Sequence, residues 1–271
     1  MTKIGIIAGG GELPLLVGKN LIKKNFDVTF FVLQNFYNKE YKKYNSLKIQ
    51  LNSIKEILRE FKLHKIENII MLGKVNRPSI KDVKFDFQTI KFIKKLFLEN
   101  KGDNKLLISI EEFFKNKGYP PFDWRKYCGE LFANEINFTN KKPSKKAILN
   151  KNKGLYAFKF IGKSDVGQSM IIQNEIILGI EASEGTNELI SRCNNYKKKG
   201  DKGILIKLSK YNQSHILDIP TIGLETLKFL KKFNYEGVFV ELNKCLIINK
   251  DEVSKYANNN NLFIAAINKI E

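Results

Sequence analysis

Arginine, histidine and cysteine are scarce in this chain, and each scarcity excludes something. The arginines are Arg59, Arg77, Arg125 and Arg192, within a Lys+Arg total of 47 and a formal net charge of +19. A basic charge of this size first suggests nucleic acid. Arginine, however, is the preferred reader of phosphates and base edges. The lysines are scattered among Asn and Ile rather than gathered in a stripe, so no nucleic-acid partner is expected. What survives is a surface drawn to anionic lipid headgroups at modest ionic strength. His64 and His215 show no metal-ligand spacing such as H-x-x-x-H; His215, three residues before Asp218, is a candidate base or substrate contact. The three cysteines, Cys128, Cys193 and Cys245, are odd in number and far apart. Without a C-x-x-C pair, a zinc ribbon or redox motif is excluded and reduced, packed thiols remain. No apolar run approaches the ~20 residues of a membrane span. Met-Thr-Lys leads straight into a strand pattern without the parts of a signal peptide, so a cytoplasmic protein is expected. There is no G-x-S-x-G nucleophile elbow.

What is present suffices for a core. The chain has 271 residues, 43% of them hydrophobic, enough for two domains and against global disorder. Lys3–Ala8 reads as a buried strand and Gly9-Gly10-Gly11 as a turn; Leu13, Leu16, Val17 and Leu21 fall on one helical face. Val28–Leu33 is a second strand. Ser53 to His64 is helical through Ile54, Ile57, Leu58 and Phe61, with Ser53 and Glu56 spaced as a capping box. Asn68–Gly73 is a third strand, running into the loop that ends at Pro78. Helices are expected over 87–98 and from Asp103 to Gly118, the second with Leu106, Leu107, Ile110, Phe113 and Phe114 as its apolar stripe. This alternation predicts an α/β fold with an N-terminal Rossmann-like, parallel-sheet domain. From 134 to 153 the composition turns to Asn, Lys, Thr, Pro and Ser, which reads as a connection, with a helix inside it as the alternative. Beyond it, short strands are expected at 155–161, 170–172, 175–180, 204–208, 238–242, 246–249 and 262–267. Hairpin tips fall at Gln173-Asn174 and Asn243-Lys244, and helices near 184–192 and 223–233. That is a C-terminal mixed-sheet α/β domain. The expected division is 1–135, a connection over 136–153, and 154–271.

The acids worth attention sit among glycines and strand-like apolar runs: Asp165-Val-Gly-Gln168, Glu181-Ala-Ser-Glu184-Gly-Thr186 and Asp218-Ile-Pro-Thr221-Ile-Gly223. A carboxylate beside an apolar strand has lost water and needs a partner, and a divalent cation or a phosphate-bound cation is one. Ala8-Gly-Gly10-Gly11-Glu12-Leu-Pro14 could cradle a phosphate on backbone amides at a helix N-terminus; a tight turn without ligand is the rival reading. It is not a dinucleotide fingerprint. Pro14 stands in the third glycine's place, and the second strand ends in Gln34 rather than an acid. Lys74, Asn76 and Arg77 follow the third strand, at the carboxyl end of a parallel sheet, where ligands bind; an exposed loop charge is the alternative. Lys101-Gly-Asp103 precedes a helix, with an ordinary N-cap as an equal reading.

These segments, in this order, together resemble the LpxI family of UDP-2,3-diacylglucosamine pyrophosphatases. The resemblance spans nearly the whole chain; each motif is modest alone and the ordered set is specific. It implies two α/β domains with the active site in the cleft between them. It implies hydrolysis of UDP-2,3-diacylglucosamine to UMP and 2,3-diacylglucosamine 1-phosphate (lipid X) in lipid A biosynthesis, with a divalent metal, Mg²⁺. The essential aspartate of the family's D-x-P-T-I-G segment carries over to Asp218, as base or metal ligand. Asn104 and Asn187 replace the second acid of the family's acid-rich K-G-D-D and E-G-T-D versions, which moves the expected metal set to Asp165, Glu181, Glu184 and Asp218. Substrate contacts are expected from Gly10, Gly11, Glu12, Asn76, Arg77, Lys101, Asp103, Gln168, Thr186 and Thr221. A diacylated substrate makes transient contact with the cytoplasmic face of the inner membrane an expected partner interaction, and a homodimer is the expected oligomer. The alternatives are a nucleotide-binding oxidoreductase and a hydrolase of another nucleotide-sugar.

Overall fold

The computed structural model describes residues 1–50, 53–74, 103–162, 167–210 and 219–269. The chain divides into two compact units, Met1–Cys128 and Gly129–Glu271.

In the first unit β1 (Lys3–Ala8), α1 (Leu13–Lys23), β2 (Asp27–Leu33), β3 (Ser46–Ile49), α2 (Ile54–Leu63), β4 (Asn68–Leu72) and α3 (Asp103–Asn116) follow in order. The sheet runs β3-β2-β1-β4, every pair parallel. That is the strand order of half a doubly wound fold. β1 and β2 are buried along almost their whole length, as a sheet covered on both faces requires. Helix α1 carries Pro14 in its first turn, where the missing N–H costs nothing. It packs close to the sheet at Gly18, where a Cβ would come within 2.1 Å of the Phe30 ring. Ile54, Ile57 and Phe61 of α2 meet Phe31, Ile69 and Phe114 in one core cluster, with the Phe31 and Phe61 rings edge to face at 4.7 Å. Ile110 and Phe113 of α3 pack on the same cluster, as the stripe predicts. Ser53 makes no side-chain cap bond, so the expected capping box is not formed. The helix expected over 87–98 lies outside the described residues.

The second unit contains α4 (Lys145–Ile161), β5 (Ser169–Gln173), β6 (Ile176–Ile180), α5 (Thr186–Cys193), β7 (Ile204–Lys207), β8 (Thr221–Ile222), α6 (Leu224–Lys232), β9 (Gly237–Glu241), β10 (Leu246–Ile247), α7 (Lys250–Asn259) and β11 (Phe263–Ile267). Its main sheet is β11-β9-β7-β5-β6. β11, β9 and β7 are parallel, and β5 is antiparallel to both β7 and β6. Side chains alternate between two cores. Ile171, Leu205, Val238 and Ile264 face α5, α6 and α7; Met170, Ile172, Ile204, Ile206, Phe239 and Phe263 face α4.

Four expectations need correction. Residues 136–153 are not a connection. Phe138 N–H donates to the Ile264 carbonyl at 3.1 Å and Ala266 N–H to that of Ile136 at 2.8 Å, so this segment borders β11, and the boundary lies at Cys128/Gly129. The strand expected at 155–161 is the last part of α4, capped at Ser144. Asn243-Lys244 is a turn but no hairpin tip, because β9 and β10 lie in different sheets. The β5–β6 hairpin turns at Asn174-Glu175, both with positive φ (50° and 60°), the requirement of a type I′ turn, one residue beyond the expected tip.

Candidate functional site

At one end of the second sheet's strands, the start of β5, the end of β6 and the end of β7 come together. Ser169 opens β5 and sits opposite Lys207, the last residue of β7. Glu181 follows β6, its N–H donating to the Ser169 carbonyl at 2.8 Å. Lys207 is 5% exposed. Its Nζ donates to Thr186 Oγ1 at 2.6 Å and Ser169 Oγ at 2.9 Å, and lies 3.5 Å from Glu181 Oε2. Thr186, the first residue of α5, donates in turn to Glu181 Oε1 at 2.9 Å. A buried ammonium has three donors to satisfy, and three acceptors meet it. Gly167 closes this corner: its N–H donates to the Glu181 carbonyl at 2.8 Å. A Cβ there would stand 2.0 Å from that oxygen, which gives the glycine of Asp165-Val-Gly-Gln168 a packing reason. Gln168 is buried, and its carbonyl accepts the Leu208 N–H.

Glu184 lies in the loop before α5. Its Oε1 accepts from Arg192 Nε and Nη2 at 2.9 and 2.8 Å and its Oε2 from Ala182 N–H at 3.0 Å. Backbone amide bonding, its own first, and then the Arg192 guanidinium hold this carboxyl below its ordinary range.

A second carboxylate sits at the end of β9. Glu241 is 2% exposed; its Oε2 accepts both the N–H and the Oγ of Ser209 at 2.7 Å, and Lys244 Nζ lies 3.1 Å from Oε1. Cys245, next to Lys207 and Glu241 in electrostatic terms, has its thiol pushed up to about 12 by burial, so it is not a nucleophile near neutrality. Thr221 Oγ1 donates to the Ile219 carbonyl at 2.9 Å, and Leu246 N–H to that of Pro220 at 2.8 Å.

In the first unit the glycine turn is partly committed. Gly9 N–H donates to the Leu72 carbonyl and Gly10 N–H to that of Lys74, both at 2.8 Å, and Lys74 N–H returns to Gly10 at 2.9 Å. The Gly9 and Gly10 amides therefore zip the end of β1 to the end of β4 and do not point at a phosphate, which corrects the cradle expected there. Gly11, with φ of 96°, and Glu12, at the N-cap of α1, lie beyond this bridge. Asp103 opens α3. At the carboxyl ends of β2 and β3 a cavity of ≈ 390 Å³ is lined by Gln34, Lys48, Gln50, Glu56, Arg59 and Glu60 among others. Its charges are of both signs, so it does not select an anion.

The structure thus brings Gln168, Glu181, Glu184 and Thr186 to one edge of the second unit, places Thr221 on the β8–β10 ribbon, and puts Gly10, Gly11, Glu12 and Asp103 in the first unit. Asn76, Arg77, Lys101, Asp165 and Asp218, with His215, lie outside the described residues. Sequence reasoning missed Lys207, Ser169, Glu241 and Ser209. The available signal was a charge closing an apolar strand, in Ile204-Leu-Ile-Lys207 and Val238-Phe-Val-Glu241.

Among the described residues no group of three or more His, Cys, Asp or Glu could hold a metal ion. Glu181 faces an ammonium and Glu184 a guanidinium. Mg²⁺ demands near-octahedral oxygen ligands, and a carboxylate already facing a cation of the chain is a poor one. The described pair does not fit a Mg²⁺ seat.

A Rossmann-like unit followed by a mixed-sheet unit, with buried polar clusters at the ends of the second unit's strands, defines a two-domain α/β protein with its sequence motifs distributed over both parts. The LpxI N-terminal domain model matches residues 3–131 and the LpxI C-terminal domain model residues 134–265. The chain belongs to the LpxI family. It is 23% identical over 278 residues to the UDP-2,3-diacylglucosamine pyrophosphatase LpxI of Caulobacter vibrioides, covering 100% of this chain and 99% of that relative.

Proposed function

We propose that this chain hydrolyses the pyrophosphate bond of UDP-2,3-diacylglucosamine, giving UMP and 2,3-diacylglucosamine 1-phosphate, a step in lipid A biosynthesis. The observation that carries the reading is the match of both LpxI domains along the chain, with a full-length relative that bears the name of this activity. Asp218 is the proposed catalytic group, taking a proton from the attacking water or holding a cation. Glu181 and Glu184 leave the proposed metal set because each is engaged by a basic side chain. A requirement for Mg²⁺ then rests on Asp165 and Asp218. Glu181 keeps a positioning role through Thr186, whose hydroxyl it orients together with Lys207. The site of action belonging to a diacylated substrate is the cytoplasmic membrane surface.

The test is incubation of the purified protein with UDP-2,3-diacylglucosamine, with Mg²⁺ and with chelator, followed by detection of UMP and the lipid phosphate. Both products are expected with Mg²⁺ and neither with chelator. Asp218→Asn should keep the native circular dichroism and bind the nucleotide lipid. Its turnover should fall by at least about 100-fold, the scale of a lost general base. Near-normal turnover in this variant would remove Asp218 from the chemistry.

A further inference from the structure

We propose that the outer face of α4 is a membrane-docking surface and that its partner is an anionic phospholipid bilayer. This deepens the proposed function by giving the diacylated substrate's membrane a place on the fold, and it rests on that reading only for its biological sense.

Helix α4 buries Ala147, Asn150, Gly154, Leu155 and Phe158 against the sheet. The opposite face is not a solvated polar face. Ile148 is 42% exposed, Leu149 48%, Tyr156 63% and Phe160 63%. At 3.6 residues per turn Leu149, Tyr156 and Phe160 share the side opposite the buried face and Ile148 lies on its flank, and the rings of Tyr156 and Phe160 touch edge to face, their centroids 5.5 Å apart. Single exposed apolar residues are ordinary; three large ones grouped on one helix face, with a fourth at its flank, mark an interaction surface.

The charge around them selects the partner. The helix carries Lys145, Lys146, Lys151, Lys153 and Lys159 and no acid. Asn150 Nδ2 donates to Asp201 Oδ1 at 3.1 Å, so the turn holding the exposed Lys198, Lys199 and Lys202 is tied beside the helix. Asp201, the acid in that turn, is taken up by the N–H groups of Asn174 and Gly203 as well. Aliphatic and aromatic side chains interleaved with lysines are what an interfacial helix presents: rings seat at the headgroup level and lysine stems reach out to anionic headgroups. A second copy of the chain is the weaker occupant. Two-fold pairing of this face would set lysines against lysines, with no carboxylate in the helix to offset them. Nucleic acid would answer the lysines and leave the four apolar side chains without a partner.

The experiment is co-sedimentation of the full chain, without substrate, with vesicles of pure phosphatidylcholine and of equal parts phosphatidylcholine and phosphatidylglycerol, at about 0.15 M salt. Binding is expected to the phosphatidylglycerol vesicles and not to phosphatidylcholine. Tyr156→Ser/Phe160→Ser, both positions being mostly exposed, should keep the native urea midpoint and lose about tenfold or more of that partitioning. Lys23→Gln/Lys24→Gln, on the first unit, should lose far less and so separates a docking face from general charge. Tyr156→Trp should be quenched by brominated phosphatidylglycerol. Equal binding by the double serine variant, equal loss in the two variants, or no quenching would overturn the proposal. So would a double serine variant that turns a dimer into a monomer while vesicle binding is unchanged, because α4 would then be a contact between copies. Absence of UMP release from detergent-dispersed substrate would sink the proposed function and leave the vesicle result standing.

Discussion

Lys207 holds more of the second unit's polar order than any residue the motifs single out. Its amine ties β7 to β5 through Ser169, to α5 through Thr186 and to the loop after β6 through Glu181. The side chains of Lys207 and Glu181 are only 6% and 12% exposed, so the pair is sparingly screened, and removing the amine strands a buried carboxylate. Lys207→Met keeps most of the stem volume and deletes the charge. It should cost about 3 kcal/mol, the low end for breaking a buried pair given the 3.5 Å separation, read as a lowered urea midpoint at unchanged slope. A variant as stable as the parent would mean that water replaces the amine. Lys207 shows how far single residues are legible. The acids were visible because acids are few and sit beside glycines. One buried lysine among 47 basic residues does not stand out even within an expected strand; it is visible only when the alternation of Ile204-Leu-Ile is carried on to place Lys207 on a core face.

At the scale of elements, the parallel sheet of the first unit was legible because its recognised strands β1, β2 and β4 are apolar and separated by stretches that contain a helix. What escaped was β3, whose Ser-Leu-Lys-Ile lies at the sheet's edge and is only partly buried, the two-residue β8, and α7, which follows Asn249 in a left-handed conformation. Leu155-Tyr-Ala-Phe-Lys-Phe-Ile161 misled by imitating a strand's alternation. Its helical state is set upstream, by Ser144 accepting the Ala147 N–H at 3.1 Å and by the i, i+4 spacing of Asn150, Gly154 and Phe158 on the buried face. The glycine turn after β1 was found but assigned the wrong duty. Its partner is Gly73, with φ of 92°, where a Cβ would come 2.7 Å from the Gly10 carbonyl oxygen. Gly73→Ala combines a strained backbone with a close contact and should cost about 1–3 kcal/mol. Gly11→Ala, also at positive φ (96°) but with nothing within 4 Å of the added carbon, should cost less. Equal losses by chemical denaturation would show that strain, and not the Gly10–Lys74 bridge, sets the penalty.

At the scale of the whole molecule, the number of domains was legible from length and from the change of strand style, and the first domain's expected end at 135 falls near the division seen between 128 and 134; the connection over 136–153 was the misreading. A stretch rich in Asn, Lys, Ser and Pro reads as a linker because linkers share that composition, yet the same residues suit a segment that caps an exposed sheet edge. Among the described residues no helix is long and apolar enough to cross a membrane. Residues 136–144 are held by the second unit at several points. Thr139 Oγ1 accepts the Ile264 N–H at 3.0 Å. Buried Glu236 accepts the N–H and the Oγ of Ser144 at 2.8 and 2.9 Å, fixing the start of α4. A fragment beginning at residue 154 would expose the β11 edge, leave Glu236 buried without these donors, and remove Ala147 from the core that α4 covers. A fragment beginning at Gly129 keeps all three. The prediction is that 129–271 unfolds cooperatively in urea with dispersed amide resonances, whereas 154–271 is aggregated or unfolded under the same conditions. Cooperative folding of the shorter piece would return residues 136–153 to the role of a linker; failure of the longer one would mean that the second unit needs the first to hold its shape.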